Sequence, residues 1–164
     1  MKTTYLAIAG RIRRELEEIT QVVERVQQIW RQYKSSQPTE NDFLVDAAAL
    51  NLHGFYAGIE RFLEIVADGI DKTKPAGPAW HRELLQQMTA EIPGVRPAVL
   101  RPETRTRLDR YSGFRHVIRN VYSVSLDAEQ ISLLVEHLQA VHDQIHQELA
   151  QFADWLEQMA SGNS

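Results

Sequence analysis

Apolar residues recur early in the chain in an unbroken helical rhythm: Ile12, Leu16, Ile19, Val23, Val26, Trp30 and Tyr33. Steps of four and three residues place all seven on one face of a single long helix, because a helix completes a turn every 3.6 residues. The seam ends in the polar stretch Lys34-Ser35-Ser36-Gln37-Pro38. A second seam, Leu52, Phe55, Ile59, Phe62, Val66 and Ile70, predicts another long helix, for which Thr39 is a candidate cap. Lys72-Thr73-Lys74-Pro75-Ala76-Gly77-Pro78 then breaks the chain. A shorter helix is predicted from about Ala79 to Glu91, before Pro93-Gly94 and the irregular Arg96-Pro97. Pro102 suits the first position of a fourth helix that runs to about Tyr122. Asp127 is the expected cap of a last long helix carrying Ile131, Leu134, Leu138, Val141, Ile145, Phe152, Leu156 and Met159. No strand-type alternation persists and no segment repeats. The expected fold is all-α, an antiparallel bundle of four to five helices with long first, second and last members.

A chain of 164 residues suits one domain spanning 1–164. The absence of cysteine excludes disulfides, thiolate nucleophiles and Cys-ligated metals. The N-terminal MKTTYLAIAG has too short an apolar stretch for a signal peptide, and no apolar run approaches the ~20 residues of a membrane span, so no membrane association is expected and the cytoplasm is the expected location. The net charge of −4 argues against general nucleic-acid affinity and leaves only a focused site.

Such a focus exists. Residues 101–122, RPETRTRLDRYSGFRHVIRNVY, contain Arg101, Arg105, Arg107, Arg110, Arg115 and Arg119 against only Glu103 and Asp109. Arginine is used without lysine, which suits bidentate contacts to phosphate. The run closes with imidazole, amide and phenol in His116, Asn120 and Tyr122. Arg115 and Arg119 share a helix face, as do His116 and Asn120. A metal-independent ribonuclease needs a base for the 2′-hydroxyl, an acid for the leaving oxygen and cations for the phosphorane charge. Arg115 or Arg119 suits the last task, and His116 is the nearby group that titrates near neutrality. Arg107, Arg110 and Arg119 are the expected RNA-phosphate contacts. A solvated arginine face on a purely structural bundle is the competing reading.

Other clusters are poorer. His142 and His146 stand one turn apart, and a surface position is expected for them. Glu60 and Glu64, with Asp46 upstream, are candidates for a shared polar site, although helix carboxylates ordinarily face solvent or pair with a nearby arginine. No metal site, phosphate-loop glycine pattern or serine-hydrolase elbow is present, and no cofactor is expected.

Tyr111-Ser112-Gly113-Phe114-Arg115-His116-Val117-Ile118-Arg119-Asn120-Val121-Tyr122 resembles the active-site stretch of the HepT-like ribonuclease toxins of the HEPN superfamily. Those proteins carry Arg, four intervening residues, His, one residue, then Tyr. Asn51–Glu60 and Pro78–Leu85 resemble the same family's second and third helices. The resemblance implies a homodimeric helical toxin that cleaves RNA without a metal, its two motifs lining a basic cleft. It also implies a minimal nucleotidyltransferase antitoxin that silences the toxin by AMPylating the motif tyrosine. Carried onto this chain, Arg115 matches the motif arginine and Tyr122 the modified tyrosine, but the catalytic histidine position holds Asn120. An amide does not titrate in the working range, so Asn120 is expected to reduce or abolish cleavage, with His116 one turn earlier as a possible substitute. The alternative is a catalytically inactive helical binding module that docks a nucleotidyltransferase.

Overall fold

The computed structural model describes residues 1–39, 41–119 and 126–162; within the fourth helix the side chains of His116, Val117 and Arg119 lie outside the description. Five α-helices dominate: α1 (Lys2–Ser35), α2 (Asn41–Val66), α3 (Trp80–Thr89), α4 (Pro102–Arg119) and α5 (Ala128–Ser161). Among the described residues the only extended pairing is an isolated bridge between Ile92 and Arg96. The protein is an all-α bundle. None of the described helices is long and apolar enough to cross a membrane.

The apolar seams build the core. From Ile12 to Trp30 every seam residue of α1 is buried, as are Leu52 to Ile70 on the second helix and Ile131 to Leu156 on α5. The helix ends differ from the seams in three places. α1 begins at Lys2, and Ile8 and Ala9 extend its buried face toward the N-terminus. α3 is the shorter Trp80–Thr89, with Ala79 at its N-cap. The second helix closes in a π-helical turn, Ala67–Asp71.

Cross-helix contacts give the direction of packing. Arg13 hydrogen-bonds Asp154 and Glu157 while Thr20 meets His142, so α1 and α5 run antiparallel. Arg61 approaches Glu15 and Gly69 lies against Ile8, which makes α1 and α2 antiparallel as well. A Cβ at Gly69 would fall 2.6 Å from Ile8 Cδ1, so a larger residue in the π turn would make the end of the Ile8 side chain turn aside. Thr104 binds Glu148 and Tyr111 binds Leu134, so α4 and α5 also run antiparallel.

One buried ion pair holds α3 in place. Arg96 reaches Asp71 Oδ1 at 2.5 Å and Oδ2 at 2.7 Å, with both side chains fully buried. Its remaining donors go to the carbonyls of Ala90, Pro97 and Gln87. All five guanidinium N–H groups therefore have acceptors, the condition under which a buried arginine is tolerable. Gln87 also donates to Asp71 at 2.6 Å. The π turn, the C-terminal end of α3 and the loop after it are tied at one point, which fixes where the N-terminal end of α3 presents Trp80 and His81.

Asp127 caps α5 as expected, accepting the Glu129 N–H at 3.0 Å. Loss of that bond in Asp127→Ala should lower stability by about 1 kcal/mol, measured by urea unfolding. An unchanged midpoint would show that the cap bond does not hold the start of α5.

Candidate functional site

The geometry of the site follows from the rotation of α4. Thr104, Leu108 and Tyr111 form a buried stripe at four- and three-residue steps, and Arg115 and Ile118 continue it. Thr104 Oγ1 donates to Glu148 at 2.7 Å. Burial raises the Glu148 pKa above the usual carboxylate value, while Thr104 and the Arg101 N–H hold it back. The Tyr111 hydroxyl donates to the Leu134 carbonyl at 2.8 Å, and its ring meets Phe55 edge-on at 5.4 Å. Arg115 lies one turn beyond Tyr111 on the same inward face, so its guanidinium points at α2 and α3.

There it meets a carboxylate, an imidazole and an indole. Arg115 Nη1 lies 2.5 Å and 2.7 Å from the two oxygens of Glu60. Glu60 Oε2 is also 2.6 Å from His81 Nδ1. Arg115 Nη1 stands 2.7 Å from His81 Nδ1 and 3.3 Å from Nε2. The Arg115 Cζ sits 5.9 Å from the Trp80 ring centroid, within cation–π range. Side-chain exposure is 12% for Arg115, 7% for Glu60 and 11% for His81, so the cluster is largely withdrawn from water. Arg115 Nε is buried with no hydrogen-bond partner among the described residues, an unmet donor inside an otherwise paired cluster. The carboxylate accepts from Arg115 and, with Nδ1 protonated, from His81. The arrangement offers a held cation and an oriented imidazole side by side.

His81 also lines a groove of about 410 Å³ with Pro78, Ala79, Arg82, Asp109, Ser112 and Gly113. Ser112 of that lining hydrogen-bonds Tyr56 of α2; burial pushes that phenol up to about 12 while the Ser112 bond opposes the shift. The volume is that of a small-ligand cleft.

The other sequence candidates are placed as follows. Arg107 and Arg110 are exposed and line a different groove, of about 690 Å³, between α4 and α5 with Gln130, Leu133 and His137. They are not brought together with Arg115. The side chains of His116 and Arg119, and the whole of Asn120 and Tyr122, lie outside the described residues. The shared polar site considered for Glu60, Glu64 and Asp46 does not form: Glu60 pairs with Arg115, Glu64 with Lys74 at 2.8 Å, and Asp46 is exposed. His142 is not at the surface but buried, because α1 covers α5 there and Thr20 Oγ1 sits 3.0 Å from its Nε2. Burial, followed by the nearby His146, lowers its pKa below the ordinary imidazole value. His146 itself is exposed, as expected.

Glu60, Trp80 and His81 are the site residues that reading the basic helix alone misses. A signal for Glu60 was present: Tyr56, Glu60 and Leu63 form an inward stripe beside the main α2 seam, and an acid within an apolar stripe demands a partner.

Beyond the geometry, the sequence profile of HepT-like proteins matches residues 47–156, covering most of α2, all of α3 and α4, and most of α5. This chain belongs to the HepT-like family. No curated protein and no solved structure matches it. The match contains every member of the Glu60–His81–Arg115 cluster and the segment that holds Asn120 and Tyr122. This HepT-like chain therefore has the all-α HEPN bundle, with α1 packed outside the matched span against α2 and α5.

Proposed function

We propose that this HepT-like protein is the toxin of a toxin–antitoxin pair, a metal-independent endoribonuclease whose rate is lowered by Asn120 in the acid–base position. Arg115 neutralises charge on the scissile phosphate. Tyr122 is the residue that a partner nucleotidyltransferase modifies with AMP to silence the toxin, and the active form is a homodimer. The single observation that carries the reading is the Arg115 cluster: the motif arginine is held by Glu60, His81 and Trp80 instead of spread on a solvated face. That geometry disfavours the bland arginine-face alternative, which has no use for a guanidinium 12% exposed. Phe43 and Leu50 stand 77% and 68% exposed on one face of α2, an apolar surface consistent with a second subunit.

A second reading keeps the same partner without catalysis. Asn120 favours it, since an amide moves no proton. Under it the chain docks a nucleotidyltransferase as an inactive helical module.

The deciding experiment is cleavage of a mixed-sequence RNA in EDTA by the chain and by Arg115→Ala, followed by treatment with a nucleotidyltransferase antitoxin and ATP. Slow cleavage that Arg115→Ala removes, together with adenylate on Tyr122 by mass spectrometry, is the expected outcome. Cleavage indifferent to Arg115→Ala would sink the assigned role of the cluster, and an unmodified Tyr122 would sink the regulatory half.

A further inference from the structure

Arg115 faces α2 and α3, whereas a groove of about 690 Å³ opens where α4 meets α5. Its floor is apolar, with Tyr111, Leu134 and Val141 buried there. Its rim is the opposite: Arg107, Arg110, Gln130 and His137 are all exposed. Among the described residues no carboxylate lines this groove, and neither of its arginines is in an ion pair. On a chain of net charge −4, a groove with cations and without acids selects an anionic occupant.

The lining also says which kind of anion. A free phosphate has no use for an apolar floor. An amphipathic helix from a protein partner would need a row of open apolar positions to seat anchors at i, i+3 or i+4 and i+7. Here Leu133, 59% exposed, is the one large apolar side chain of the described lining that stands open. The other exposed groups are flat or hydrogen-bonding: two guanidinium planes, the His137 ring and the Gln130 amide. Unpaired nucleotides match that set, because their bases stack on flat side chains and show free edges while their backbone carries the charge. Arg107 and Arg110 are three residues apart on α4, so they suit neighbouring phosphates of one strand. The groove is also continuous with the site. Gly113 lies one turn beyond Arg110 and lines the groove that holds His81, and a Cβ there would meet nothing within 4 Å. A strand can therefore cross α4 over this bare position, and Arg115 stands only about 7.5 Å along the axis from Arg110.

We infer that the groove between α4 and α5 is a subsite for unpaired RNA beside the scissile phosphate. Arg107 and Arg110 hold backbone phosphates, while His137 and Leu133 receive a base. The inference takes its ligand from the ribonuclease reading above and adds no group to the chemical step. It makes single-stranded RNA the substrate class, since a duplex keeps its bases stacked inside and offers the groove backbone alone.

The test measures binding apart from cleavage, by fluorescence anisotropy with a fully 2′-O-methylated RNA, which has no free 2′-hydroxyl to attack phosphorus. Arg107→Ala and Arg110→Ala should each weaken binding and flatten its dependence on log salt by about 0.7, the share of one phosphate contact on a single strand. His137→Ala should lose about ten-fold in affinity for the single strand and little for a duplex of the same sequence. Ala140→Trp fills the groove from an exposed position of α5 without changing charge, and should weaken single-strand binding with the salt slope retained. Unchanged affinity on replacing both arginines would overturn the inference. So would wild-type affinity in His137→Ala and Ala140→Trp, since the arginines would then be a solvated face. Loss of a purified nucleotidyltransferase from these variants, with RNA binding intact, would overturn it in favour of a protein-docking groove. The two readings fail separately. RNA held through the groove but left uncleaved by Asn120→His supports the subsite and sinks the ribonuclease. Cleavage that needs Arg115 but ignores every groove variant sinks the subsite alone.

Discussion

Replacing Asn120 by histidine is expected to raise RNA cleavage in EDTA by about 10²–10⁴-fold, the range a positioned acid–base group contributes. The gain corresponds to roughly 3–5 kcal/mol of transition-state stabilisation, far more than a surface substitution supplies. It should depend on the cation: Arg115→Ala in the same background should return cleavage to near the original level. Nucleotide affinity should barely change, since an amide and an imidazole both hydrogen-bond phosphate or ribose, so the effect belongs in the rate constant and not in KM. A folded, dimeric Asn120→His protein that leaves RNA intact would favour the inactive docking module.

The bundle was largely legible in the spacing of apolar residues, because burying a helix face is a local, periodic demand. Ile12 through Trp30 and Ile131 through Leu156 sit where their periodicity puts them. What periodicity misses is decided by pairs distant in sequence. The Arg96–Asp71 bridge joins a loop to a π turn, and nothing local to Arg96-Pro97 announces it. The same holds at the site. The basic helix shows few acids of its own, which makes Arg115 look uncompensated, yet its counter-charge comes from Glu60 on another helix. Two local clues did exist. Arg115 continues the Thr104-Leu108-Tyr111 stripe, so it faces inward by spacing alone, whereas Arg107 and Arg110 fall outside that stripe and are exposed. Glu60 likewise interrupts an inward stripe. A charge in an apolar register on each of two helices is a sequence-level hint of a buried pair.

Charge burial in that pair sets the second large effect, and it is asymmetric. Glu60→Ala should destabilise the protein by about 3 kcal/mol, measured by urea unfolding, because it strands the Arg115 guanidinium with no anion among its contacts. The neighbouring imidazole can then turn the Nδ1 lone pair to Arg115 Nη1, 2.7 Å away, but a neutral acceptor does not replace the charge of a carboxylate. Arg115→Ala should cost less, about 1–2 kcal/mol, because His81 Nδ1 remains 2.6 Å from Glu60 and still satisfies the carboxylate. Removing both partners should therefore recover stability relative to Glu60→Ala alone, a non-additive cycle typical of directly contacting charges. Equal and additive costs for the two single variants would show that the guanidinium is hydrated and the pair does not act as a buried unit. The asymmetry also bears on catalysis. Arg115→Ala should stay folded, so its loss of RNA cleavage reports on phosphate charge, whereas Glu60→Ala removes the anchor of both the cation and the imidazole and should lose activity and stability together.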